Sequence, residues 1–150
     1  EQAAFARFGS IHRNTYVLAP EVLDATLASR ACPNLWIAGQ LSGVEGYLES
    51  AAAGLAAAHS IDRTLRHLEP SPFPRETVLG ALLHYLAHAE TKHFAPVNAM
   101  LGLLPPLSDG TVDARAAKRA GGARGLKQAR GLAYRDRALA ALEAHLGSLS

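Results

Sequence analysis

Two kinds of apolar pattern alternate along the chain. Leu35-Trp36-Ile37-Ala38 is a short unbroken run, opened by Pro33-Asn34 and stopped by Gly39. Its length and boundaries predict a buried strand rather than a helix. Beyond Gln40-Leu41-Ser42-Gly43 the period changes. Val44, Tyr47, Leu48, Ala51, Leu55 and Ala58 fall on one stripe of a helix that runs on towards Leu68. The alanines at 51–53 and 56–58 keep that helix slim enough to pack closely.

Prolines 70, 72 and 74 break the pattern, so 69–74 reads as a linker, with Pro74 near the first turn of a second helix over roughly residues 75–90. Leu79, Leu82, Leu83 and Leu86 form its apolar face. Residues 4–18 read as extended chain, on Phe5, Phe8, Tyr16 and Val17, with Pro20 closing the stretch. Residues 101–107 make a compact apolar loop. Residues 108–125 are rich in Gly, Ala and basic residues without a clear period. A last amphipathic helix is expected from about 129 to 146, with Tyr134, Ala138, Leu142 and Leu146 on one side. The chain thus divides into a strand-and-helix piece, 1–68, and a helical region with a basic tail, 69–150.

With 49% hydrophobic and 19% charged residues in 150, the chain can build a core, which excludes disorder as a description of the whole. No run approaches the roughly 20 apolar residues of a membrane span, and no basic-then-apolar leader is visible. A single Cys32 allows neither an internal disulfide nor the cysteine-pair metal and redox motifs, and a lone thiol fits a reducing cytoplasm. Charge is unevenly spread. Residues 1–110 carry 7 Lys and Arg against 10 Asp and Glu, whereas residues 111–150 carry 8 against 3. The tail can therefore meet an anionic partner, nucleic acid first among them, or be a solvated surface.

The unit at 35–59 holds the most promising chemistry. A turn followed by a helix N-terminus offers free N–H groups and partial positive charge to an anion. Gly43 and Gly46 lack a Cβ, so a flat ligand can approach the backbone. A competing reading is that Ser42-x-x-Glu45 is a capping box that satisfies those amides internally. His84 and His88, spaced i and i+4, with His93 beyond, invite a metal reading. Both lie opposite the leucine face, which favours solvated side chains. His12-Arg13-Asn14-Thr15-Tyr16 is dense in hydrogen-bonding groups, as either a cleft wall or an exposed edge. Arg115, Lys118, Arg119, Arg124, Lys127 and Arg130 are spaced to track a phosphate backbone, with no aromatic residue among them for base stacking. Cys32, beside Pro33, reads as a small packing residue.

Several of these blocks share a wider likeness. Gly9-x-x-His12-Arg13-Asn14-Thr15-Tyr16 is followed by Asn34-Leu35-x-x-Ala38-Gly39-Gln40-x-x-Gly43-Val44-Glu45-Gly46-Tyr47-x-Glu49-Ser50-Ala51-Ala52-x-Gly54-Leu55. Gly80-Ala81-Leu82-x-x-Tyr85, Phe94-x-Pro96-x-Asn98 and Gly102-Leu103-Leu104-Pro105-Pro106-Leu107 follow in order. Together these closely resemble the bacterial TrmFO family of folate- and flavin-dependent tRNA methyltransferases.

The resemblance implies an α/β fold, the C-terminal part of an FAD-binding Rossmann-like domain of GidA/TrmFO type, mainly helical with a few short strands. It implies a cytoplasmic enzyme that methylates C5 of a T-loop uridine in tRNA. FAD is the cofactor, NADPH or NADH its reductant, and 5,10-methylenetetrahydrofolate the carbon donor. Gly39, Gln40, Gly43, Val44, Glu45, Gly46 and Tyr47 would lie against the flavin, with His12, Arg13, Asn14 and Tyr16 lining the same cleft. That the basic tail reaches tRNA is an inference from charge and no part of the family motif.

There are departures. The Gly-rich FAD fingerprint and the family's catalytic cysteines are absent from these residues, and Cys32 matches neither cysteine. No catalytic residue is expected here, and the chain alone should be inactive. Ala95 and Val97 replace the expected Gln and Met, and Met100-Leu101 departs from Asn-Phe. His84 and His88 match no family motif. Two other readings stand beside this one: a non-enzymatic helical RNA-binding remnant, and another FAD-dependent oxidoreductase of the GidA-like group. The oligomeric state is open.

Overall fold

The computed structural model describes residues 14–149 and is mainly helical. Four α-helices are present: α1 (Ala19–Val22), α2 (Tyr47–Leu65), α3 (Val78–His88) and α4 (Ala114–Leu149). Single 3-10 turns occupy Gly39–Ser42, Thr91–His93 and Leu101–Leu103. Among the described residues there is no strand ladder, only isolated bridges: Leu23 with Ser29, Ala28 with Trp36, and Val44 with Val97. The expected strand at 35–38 is therefore reduced to its bridge at Trp36. With one short neighbour instead of a sheet, its backbone pairs only through Ser29 N–H to the Leu35 carbonyl and Ile37 N–H to the Leu27 carbonyl. Of the extended stretch expected at 4–18, residues 4–13 lie outside the described residues, and 14–18 lead irregularly into α1.

A tight turn carries the chain from α1 into this pair. Asp24 Oδ1 accepts from the Thr26 hydroxyl (2.6 Å), Thr26 N–H (2.8 Å) and Ala28 N–H (3.1 Å). That triple contact holds Leu27 at φ 66°, an unusual backbone for a branched residue, and buries its side chain completely.

α2 starts later than its apolar period suggests, at Tyr47, because Gly46 at φ 94° cannot join a helix. It ends at Leu65 through a closure of Schellman type. His67 takes the left-handed conformation at φ 57°, and Leu68 N–H reaches back to the Arg63 carbonyl. α3 is shorter than the expected 75–90 because its cap lies at Thr77, whose hydroxyl accepts from Gly80 N–H at 2.9 Å.

One core cluster joins these parts. Ala19, Leu23 and Leu27 meet Val44, Ala53, Ala56 and Ala57 of the turn and α2, and Leu82, Leu83 and Leu86 of α3. The leucine face of α3 is as its period predicts. The stripe of α2 is not. Tyr47 is 99% exposed, Leu48 81% and Leu55 69%, while the alanine face is buried against α3. Small residues let the two backbones approach closely, so the alanines face inward.

α4 also departs from expectation. It begins fifteen residues earlier than the expected 129, capped by Asp113 Oδ1, which accepts from Arg115 N–H and Ala116 N–H at 2.9 Å. The alanines, arginines and lysines of 114–125 are good helix formers despite their lack of an apolar period. Gly121 and Gly122 leave helical geometry and kink it. Tyr134, Ala138 and Leu142 are half-buried, whereas Leu146 is exposed. Cys32 is exposed as well, and so is not the packing residue its size suggests.

Candidate functional site

The turn between Gly39 and Tyr47 is assembled from two distant stretches. Glu45 N–H donates to the Val97 carbonyl and Val97 N–H to the Gly43 carbonyl, both at 3.0 Å. These bonds lay the 94–98 segment parallel to the turn. Beneath them, the Phe94 ring stacks on Tyr85 (5.7 Å, 27°) and meets Tyr16 edge-on at 6.1 Å. The Tyr85 hydroxyl donates to the Ala95 carbonyl (3.0 Å) and accepts from Ala95 N–H (3.3 Å). Ala95 and Val97 thus serve through their main chains, and their departure from the expected Gln and Met leaves these bonds in place. Val97 also packs against the core.

Two glycines have a geometric reason to be there. Gly43 sits at φ 90°, and a Cβ would come within 2.8 Å of the Phe94 ring. Gly46 sits at φ 94°, and a Cβ would collide with the Glu49 carboxylate and crowd Asn98 Nδ2. Either side chain would be strained by backbone and by space alike.

Above this floor lies an open cavity of about 490 Å³, lined by Asn14, Gln40, Val44, Glu45, Gly46, Tyr47 and Ser50. That size falls within the ~300–1,000 Å³ of small-molecule sites. No side chain caps α2 at Gly46. Ser42 donates instead to the Gly39 carbonyl at 2.7 Å, so the capping box read from Ser42-x-x-Glu45 does not form. The first amides of a 19-residue helix consequently open beside the cavity, with the positive end of its dipole. Glu49, in the first turn, bends its carboxylate back towards Gly46 and is the one anionic group of α2 near that end.

Of the residues singled out in the sequence, Gln40, Val44, Glu45, Gly46 and Tyr47 line the cavity together, with Asn14 from the preceding stretch. Gly39 backs on Ser50 and Gly43 on Phe94, so both support the turn from behind. Tyr16 belongs to the aromatic floor. His12 and Arg13 lie outside the described residues. Ser50 and Asn98 were not singled out as site residues. Ser50 lies one turn after Tyr47, and Asn98 is brought to Gly46 only by the long-range pairing of Val97.

The six basic residues Arg115, Lys118, Arg119, Arg124, Lys127 and Arg130 are all exposed along α4. His84 and His88 stand on the outer side of α3 with ring centroids 4.2 Å apart. His93 is apart from them and bonds Glu90 at 2.9 Å. Among the described residues no three His, Cys, Asp or Glu side chains gather as metal ligands.

Comparison with known proteins places this turn in a family. Residues 1–69 match the family model described as glucose inhibited division protein A. More specifically, the chain is 51% identical over 121 residues to the methylenetetrahydrofolate--tRNA-(uracil-5-)-methyltransferase TrmFO of Symbiobacterium thermophilum, which covers 80% of this chain and 27% of that protein. It is 53% identical over 107 residues to the protein of that name from Desulforudis audaxviator, covering 71% of this chain and 24% of the relative. For the Enterococcus faecalis protein of that name the figures are 49% over 109 residues, 73% and 25%. The chain belongs to the TrmFO family, and it spans about a quarter of the length of these curated relatives.

Proposed function

We propose that this chain contributes one wall of the flavin site of a methylenetetrahydrofolate- and FAD-dependent enzyme that methylates C5 of a T-loop uridine in tRNA. One observation carries the reading: an uncapped helix N-terminus opens on a cavity of about 490 Å³ formed by Gln40, Val44, Glu45, Gly46 and Tyr47. FAD fits this arrangement chemically. Its ring system is flat and can lie close to the Cβ-free backbone at Gly46, and its reduced form carries negative charge that helix amides stabilise. A bound flavin would supply the redox chemistry of one-carbon transfer, with NADPH or NADH as reductant.

The work of these residues is to bind and orient. The main-chain amide of Tyr47 would face the anionic edge of a bound flavin, Gln40 and Asn14 would offer donors and acceptors at the rim, and the Phe94–Tyr85 stack keeps the turn rigid from below. Among the described residues the roles are binding and support, and residues 1–150 alone should not methylate. The exposed cations of α4 support contact with tRNA outside the cavity.

The test is methyl transfer by the intact protein from methylenetetrahydrofolate to an unmodified tRNA transcript, with and without FAD. Flavin-dependent appearance of 5-methyluridine is expected. Methylation indifferent to flavin, or none with all components present, would overturn the reading.

A further inference from the structure

A second concavity lies on the far side of α3 from the core. It has a volume of about 260 Å³ and is lined by Arg75, His84, Tyr85 and His88 over a floor of Ala81 and Leu103, among others. Its one fixed cation is Arg75, its two imidazoles become full donors only on protonation, and no carboxylate among the described residues lines it. Arg75 forms no ion pair among the described residues, so its guanidinium is unspent. Of the neighbouring titratable groups, Tyr85 is engaged with the Ala95 main chain and Glu90 with His93.

The histidines have a defined orientation. His88 Nδ1 lies 3.0 Å from the His84 carbonyl. A carbonyl only accepts, so Nδ1 carries the proton and Nε2 is the free nitrogen of the ring. That nitrogen donates only once the ring is protonated. Burial, then the positive charges of Arg75 and His88, hold His84 below the ordinary histidine range. An anion beside His84 would favour its protonated form.

We infer that Arg75, His84 and His88 form a phosphate-binding site that takes a backbone phosphodiester of the RNA substrate. The inference rests on the RNA-modifying role proposed above. Arg75 supplies a fixed fork of donors, and the two imidazoles add donors as they take up protons. Binding should therefore strengthen as pH falls through the histidine range.

The experiment has two arms on the intact protein, comparing wild type with Arg75→Gln and with the double variant His84→Gln/His88→Gln. Thermal melting confirms that each variant is folded. The first arm adds inorganic phosphate at constant ionic strength and follows the histidine C2–H proton resonances against pH. One of the two resonances absent from the double variant, that of His84, should shift to higher apparent pKa, and Arg75→Gln should abolish the shift. No phosphate-specific shift would overturn the site.

The second arm measures the salt dependence of binding to an unmodified tRNA transcript. Loss of Arg75 should lower the slope of log affinity against log salt by about one, or roughly threefold to fourfold between 50 and 200 mM salt. An unchanged slope, with the first arm positive, would overturn the assignment to RNA and leave a site for free phosphate. Absence of any RNA binding by wild type would count against the enzyme reading, while the first arm still decides the site.

Discussion

α3 and α4 hold their helical shape for opposite reasons. α3 has 11 residues, six of them buried, and it is shorter than the roughly 12–15 residues an isolated helix needs in water. It persists because Leu82, Leu83 and Leu86 sit in the core. α4 is two helical stretches joined at the Gly121–Gly122 break, 36 residues in all with none buried. It persists through length, propensity and the Asp113 cap. Its links to the rest are few: Arg137 donates to the Pro105 and Pro106 carbonyls at 2.7 and 2.8 Å, and His145 lies 5.7 Å from the Phe73 ring. Apolar content therefore says less about a helix than where that content lands.

The sharpest way to break this contrast is one substitution in each helix. Leu86→Ala, at a fully buried position, should cost about 2–5 kcal/mol. Leu139→Ala, half exposed on α4, should stay within about 0.5 kcal/mol. Denaturant unfolding measures both, and equal losses would end the distinction. Next in size is Gly43→Ala. A left-handed backbone and the Phe94 ring at 2.8 Å should together cost about 1–3 kcal/mol and weaken flavin binding.

Smaller again is Arg137→Ala. Removing two hydrogen bonds from a charged donor that solvent partly screens should cost about 1 kcal/mol, with the loss confined to α4. Amide exchange should quicken across 114–149 and stay unchanged across 78–88.

The smallest effect is one of pH. Burial first, then the charges of His59 and Arg63, depress the titration of His145. Its Nε2 and that of His59 are shielded from solvent without a hydrogen-bond partner among the described residues. Because the unfolded ring binds protons more readily, the helix end is secure above about pH 6.5. Docking weakens as pH falls from there through the lower folded value. His145→Gln should flatten that dependence, as read by exchange of the last turns of α4.

The same contrast explains what could be read from the sequence. The leucines of α3 have one possible partner, the core, so their period located them. The α2 period identified a helix but assigned its faces the wrong way, because Ala53, Ala56 and Ala57 pack closely while Leu48 and Leu55 are left outside. A periodicity count weights side-chain size and cannot see backbone approach. α4 was shortened for a related reason, since propensity without an apolar stripe leaves no period to find. At the site, the residues from Gln40 to Tyr47 are contiguous and rich in glycine, and five of them line the cavity. Asn98 and the aromatic floor depend on Val97 pairing with Gly43 and Glu45, some fifty residues away, which local spacing does not encode.

The central claim, that the paired 40–47 and 94–98 segments form a flavin wall, is tested most directly by hydrogen exchange on the intact protein with and without FAD. Protection should appear at the amides of 40–50 and 94–98, with 114–149 unchanged. Flavin binding that leaves 40–50 unprotected would contradict the account.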